Sequence, residues 1–194
     1  MENDRERWFA DPRIPAQHQL PDRFFTKDRT AFDKGHIVRR NDVVWGDSYA
    51  EVQNANGDTF HVTNCSPQVK GFNRSSRGGL WGKLENVVLK EAKTERLCVF
   101  AGPVLKDDDP IFTGVDDFGP MQVRIPRSYW KVIVAQSGGA LQSFGFLLEQ
   151  DLVDVDFEFQ LTREWQRRLI PLSELQTTIG TLELNAAILA ADQT

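Results

Sequence analysis

A chain of 194 residues and 22.1 kDa is long enough to bury a sizeable core as one domain, and its 40% hydrophobic and 26% charged residues are ordinary globular values. No run approaches the roughly 18 apolar residues of a membrane span, and the charged segment Met1 to Arg7 lacks the apolar stretch of a signal peptide. Two cysteines exclude a disulfide framework, and the net charge of −5 leaves any attraction for polyanions to a local basic face.

Residues 1–30 read as extended, Pro-containing chain with one short strand around Arg7-Trp8-Phe9. Residues 35–40 read as a strand carrying His36. Residues 43–57 contain Trp45-Gly46-Asp47 and end in Asn54-Ala55-Asn56-Gly57, which marks a loop closed by a turn. Thr59 to Thr63 alternates and is β-rich, so it predicts a strand. Gly79 to Ala92 carries Leu80, Leu84, Val87, Val88 and Glu91 at helical spacing.

The second half reads as mostly β. Strands are predicted over 96–105, 121–125, 129–135 and 140–148, with Ser137-Gly138-Gly139 as the turn of a hairpin. Val153, Val155, Phe157 and Phe159 alternate as a further strand or extended arm. Pro171 to Ile179 predicts a short helix, and 185–191 a terminal one. Cys65 and Cys98 read as buried free thiols on strands.

Chemistry concentrates between Asp33 and Glu85. Asp33-Lys34-Gly35-His36 is followed by Asn64-Cys65-Ser66-Pro67-Gln68, then Phe72-Asn73, Trp81 and Leu84-Glu85. A histidine offers a general base, an asparagine a neutral oxygen for a hard cation, and a glutamate an acceptor for that cation's water shell. His18 and His61, in a polar stretch and an alternating segment, read as structural. Cations gather in the first hundred residues, while acids gather at 107–109, 116–117 and 151–158. That asymmetry suggests a basic catalytic face and an acidic back.

In their order these motifs resemble the DNA/RNA non-specific endonuclease family, which includes endonuclease G. Phe100 to Val104, Ile125 to Lys131 and Gly145 to Gln150 also look like that family. The resemblance implies an α+β fold: a ββα-metal finger, at about residues 30–95, packed on a central, mostly antiparallel sheet with flanking helices. It implies one nuclease domain over 1–194 that cuts DNA and/or RNA, with Mg²⁺ as cofactor and Mn²⁺ as its substitute. His36 would be the base, Asn73 the metal ligand and Glu85 the acceptor for metal-bound water. Asn64 would orient His36 or the phosphate. Arg7 would clamp the phosphate, with Arg5 as the neighbouring candidate. Lys34, Arg39, Arg40 and Arg74 would contact the nucleic-acid backbone, and Asp33 would serve structure.

The chain departs from the family pattern in places. Lys34 stands where Arg is usual, keeping charge without the bidentate fork. Val38-Arg39 replaces a common Ala-Pro, which marks a subfamily. Strands expected ahead of the arginine are missing, which implies either a short N-terminus or a piece of a longer protein. Arg74 to Leu80 is an insertion that leaves Asn73 and Glu85 12 positions apart. On one continuous helix that spacing rotates the two side chains by about 120°. Either the helix is interrupted at Gly78-Gly79, or Glu85 has a different role. The alternative functions are a weakened nuclease fold that binds nucleic acid or protein, and an effector nuclease masked by a partner or upstream domain. A homodimer or an inhibitor would be the protein partner, and no membrane partner is expected.

Overall fold

The computed structural model describes residues 7–26, 31–92, 96–116, 119–152, 168–192 and 194. The chain packs as two compact units, Met1–Val69 with Pro110–Ile125, and Lys70–Asp109 with Pro126–Thr194.

In the first unit, β1 (Asp33–His36) pairs antiparallel with β2 (Cys65–Gln68), Asp33 opposite Gln68 and His36 opposite Cys65. Gly35 leaves room for the Gln68 side chain beside the pairing. A Cβ there would collide with the Gln68 side chain, which is fully buried. Between the strands lies α1 (Tyr49–Asp58). Its start is fixed by Ser48, whose Oγ accepts from the Glu51 amide at 3.2 Å, while Glu51 Oε2 accepts from the Asp47 amide at 3.0 Å. These reciprocal bonds act as a capping box does, and they turn the expected loop into a helix that buries none of its residues.

The predicted strand over 59–63 is a tight turn instead, with a 3-10 segment at Val62–Asn64. Phe9 takes over the strand-like role there. Its amide donates to Phe60 O at 3.1 Å, and its carbonyl accepts from the Val62 amide at 2.9 Å. Asp11 pins the same segment. Its carboxylate accepts from the Arg13 amide and guanidinium and from Thr63 Oγ1. Those bonds hold it well below the usual carboxylate range, the Arg13 side chain contributing most.

Phe24 is the apolar centre of this unit. It is fully buried and packs edge-on against Phe25 at 5.1 Å and Phe112 at 5.5 Å. Phe112 reaches it from a hairpin much later in the chain, whose Gly114 leaves room for the Phe24 ring.

In the second unit, α2 (Lys70–Asn73) is followed by a 3-10 turn at Ser75–Arg77 and then α3 (Leu80–Glu91). Next comes β3 (Arg96–Val104). The chain then returns to the first unit as β4 (Ile111–Asp116) and β5 (Gly119–Arg124), the antiparallel hairpin that carries Phe112 and Gly114. Back in the second unit, β6 (Ser128–Ser137) and β7 (Ala140–Glu149) complete an antiparallel sheet of order β3-β6-β7. Gly138 and Gly139, with φ of 58° and 84°, make the two-residue turn between β6 and β7.

Both faces of β6 are covered, its successive side chains pointing to opposite sides of the sheet. Val132 and Val134 pack with Leu172 and Leu175 of α4 (Leu172–Ile179). Gly145 brings β7 close to Leu172, and Ser143 Oγ donates to Ile188 O of α5 (Ala186–Ala190) at 2.6 Å. On the other face, Tyr129 meets Phe72 at 5.2 Å and Trp81 at 5.6 Å. Helices and antiparallel strands together make an α+β chain. Cys98 on β3 is exposed rather than buried, because β3 is an edge strand whose exposure alternates. Cys65 is half-buried on β2, and burial pushes its thiol pKa up. The arm predicted over 153–159 lies outside the described residues.

Candidate active site

His36 ends β1 inside an aromatic box. Its ring lies 4.4 Å from Trp8 and 5.1 Å from Phe60, the latter edge-on at 86°. Trp8 and Phe60 touch each other at 5.4 Å. Arg40 spreads its guanidinium over Phe60, 5.0 Å from the ring centroid. Desolvation by this box, and secondarily the charge of Arg40, depress the His36 pKa from 6.5 to about 4. The imidazole is therefore neutral at pH 7, the form that can accept a proton.

The strand predicted over 35–40 stops at His36. Asn64 holds the next few residues. Its Oδ1 accepts from the Val38 amide at 2.8 Å, and its Nδ2 donates to Val38 O at 2.9 Å and Thr59 O at 2.8 Å. The Asn64 carbonyl also accepts from the Ile37 amide at 3.0 Å. A single side chain thus mimics a strand partner and fixes the main chain directly after His36. Arg39 and Arg40 accordingly do not alternate along a strand. Arg39 caps a 3-10 turn that begins at Arg40. Lys34 is ion-paired with Asp22 and lies 5.8 Å from the Phe25 ring centroid. Arg7 is exposed beside Trp8, while Arg5 lies outside the described residues. His18 is exposed, and the His61 ring stacks edge-on against Phe9 at 4.5 Å, with Nδ1 2.8 Å from Asp58 O.

Asn73 and Glu85 belong to the second unit. The helix between them is interrupted. α2 ends at Asn73, exposed Arg74 leads into the 3-10 turn, and Gly78 adopts φ 84° before α3 begins. The left-handed conformation at Gly78 is one that side chains rarely adopt. The inserted segment then folds back. A Cβ on Gly79 would strike the Phe72 carbonyl, and one on Gly82 would strike the Asn73 carbonyl and come within 2.7 Å of the Ser75 amide nitrogen. The first turn of α3 therefore lies against the main chain of Asn73, and Glu85 sits three residues beyond Gly82 on that helix.

Glu85 is 7% exposed, and its Oε1 lies 3.7 Å from Nζ of Lys131 on β6. Lys131 is buried too, with Nζ 4.1 Å from the centroid of the Trp81 ring. Sequence reasoning passes over Lys131. The available signal is a lone cation inside the otherwise apolar run Tyr129 to Ala135. It also gives Gln68 no role, although Gly35 accommodates that side chain.

Among the described residues no group of three or more His, Cys, Asp or Glu side chains is placed to hold a metal ion. The half-buried amide of Asn73 is a sparse, neutral donor. Such a donor fits a hard cation that keeps most of its water, as Mg²⁺ does, and not a fully caged one.

A sequence profile of the DNA/RNA non-specific endonucleases matches residues 1–190. The chain belongs to that family. It is similar along its whole length to the uncharacterized protein y4fB of Sinorhizobium fredii (strain NBRC 101917 / NGR234), at 34% identity over 200 residues, which is 28% of that protein. It is 23% identical over 159 residues to mitochondrial endonuclease G of Bos taurus and of Homo sapiens, covering 79% of this chain and 48% of each of those proteins. The chain thus spans at most about half the length of these relatives. No solved structure gives a significant match. Nucleases of this family generally use divalent metals. No helix among the described residues is long and apolar enough to cross a membrane.

Proposed function

We propose that the chain is a Mg²⁺-dependent, sugar-non-specific endonuclease that hydrolyses phosphodiester bonds in DNA and/or RNA. What supports this reading is the setting of His36, an imidazole packed against Trp8 and Phe60 whose pKa burial lowers to about 4, in a chain that belongs to this nuclease family. His36 takes the proton of the attacking water, a role worth about 10²–10⁴-fold in rate. Asn64 acts through the backbone, holding the turn after His36. Exposed Arg7 is the candidate clamp for a phosphate oxygen. Asn73 would hold the metal, and Glu85 would accept hydrogen bonds from its water. A bound Mg²⁺ would supply charge neutralisation at the phosphate and the leaving 3′-oxygen. In this reading residues of about 30–95 act as a ββα-metal finger within a single nuclease domain.

Contacts to phosphate carry no base information, so low sequence selectivity is expected. Arg39, Arg40 and Arg74 are the cations proposed to meet the backbone. Lys34 contributes less, because Asp22 already pairs with it.

Plasmid cleavage with and without Mg²⁺, wild type beside His36→Ala, tests the proposal. Metal-dependent nicking should vanish in a variant that keeps its far-UV circular dichroism. Near-wild-type cutting by His36→Ala would remove the base assignment. A wild type inert under every metal and salt condition would remove the nuclease reading.

A further inference from the structure

We infer that Lys131 is a positioning residue for Glu85, holding its carboxylate in place through a buried ion pair set on the face of Trp81. The inference rests on the proposed nuclease function, in which Glu85 serves the hydrated metal. Trp81 and Glu85 are four residues apart on α3, so ring and carboxylate share one helix face. That face meets β6 at Lys131, whose side chain is 1% exposed against 8% for Glu85. The carboxylate oxygen at 3.7 Å and the indole ring at 4.1 Å both compensate the buried ammonium.

Stability alone gives a weak account of this arrangement. Taking both charges out of water is costly, and well-packed apolar residues in place of a buried pair are often as stable or more so. A function for the pair is a better account. The ion pair at 3.7 Å, too long for a hydrogen bond, draws Oε1 of Glu85 toward Lys131 and so biases the rotation of the carboxylate. The same helix is seated on the Asn73 main chain through Gly82, so a fixed Glu85 is fixed relative to the proposed metal ligand as well.

The test is a double-mutant cycle of Lys131→Met and Glu85→Gln. Each full-length protein is measured by single-turnover cleavage across Mg²⁺ concentrations, by Mn²⁺ binding without nucleic acid (electron paramagnetic resonance), and by chemical unfolding. Lys131→Met is expected to lose about 10–100-fold in rate or in metal affinity, as supporting residues of metal sites do. In the Glu85→Gln background the same change should cost less than about threefold, because the group it positions is already altered. Unfolding should show the two sites coupled.

Equal losses in both backgrounds would make Lys131 merely structural and overturn the inference, as would a fully active Lys131→Met. If Lys131→Met alone does not fold, the doubly neutral variant replaces it. Activity equal to that of Glu85→Gln supports positioning, and a much lower activity overturns it. A wild type that cuts nothing overturns the nuclease reading together with this one, whereas a cutting wild type with an additive cycle overturns this one alone.

Discussion

The surroundings of His36 and those of Glu85 solve the same physical problem in opposite ways. Each group sits in a largely apolar setting where an isolated charge is costly. Around His36 the solution is to exclude charge: Trp8 and Phe60 strip water from the ring, and it stays neutral at pH 7. Around Glu85 the solution is to pair charge, with Lys131 beside the carboxylate and Trp81 under the ammonium. An aromatic ring is present in both. Next to a histidine it acts as a desolvating wall, and next to an ammonium it acts as a partner.

The largest test of the comparison is Trp81→Ala. The ring is fully buried, so its loss should cost about 3–5 kcal/mol of unfolding free energy. Part of that loss is the exposure of Lys131 to a cavity in place of the ring. Chemical unfolding measures it. A loss below about 1 kcal/mol would mean that the pair on the second unit does not depend on its aromatic floor.

Acid reads the first unit. The folded pKa of His36, about 4, lies below its ordinary 6.5, so between those values the unfolded chain holds the proton that the folded one refuses. His36 therefore costs nothing above pH 6.5, and it lowers stability progressively as pH falls toward 4. The full effect, reached below pH 4, is about 3–4 kcal/mol. Unfolding of wild type and His36→Ala at pH 7 and pH 4.5 should show a steeper acid loss in the wild type. In cleavage, the acid limb of kcat/KM should fall with a midpoint near 4 instead of near 6.5.

Asn64→Ala is the next smaller change. It removes three hydrogen bonds to main chain at Val38 and Thr59 and should cost about 1–3 kcal/mol. Cleavage should drop while the acid limb keeps its midpoint, because the aromatic box around His36 is untouched. A shifted midpoint would show that the turn and the box are one device.

The helix over 80–91 and the β6–β7 hairpin are legible in the sequence because 3.6- and 2-residue periods and a Gly-Gly turn are local signals. Two local readings fail for identifiable reasons. Asn54 to Gly57 looks like a turn, yet the Ser48–Glu51 cap upstream carries the helix through it. Thr59 to Thr63 alternates like a strand, whereas the strand forms at Cys65–Gln68, where Pro67 argues against one. In a two-stranded sheet an edge is always available, so the proline is tolerated. The candidate residues are legible as a family motif, but their settings are not. The pairing of Lys131 with Glu85 joins residues 46 positions apart, and no short-range pattern encodes it.

The smallest change separates the two causes of the His36 shift. Desolvation is the larger and Arg40 the smaller, so Arg40→Met should raise the His36 pKa while leaving it well below 6.5. The midpoint of the acid limb should rise by less than about one unit. The methionine stem can still lie over Phe60, which preserves the box that Arg40 covers. Titration of the His36 ring by NMR gives the value without catalysis. A pKa returned to 6.5 would make Arg40 the main cause, and the first unit would then manage its titratable group by charge, as the second does. A modest rise keeps the contrast: one site excludes charge by walls, the other holds it in a pair.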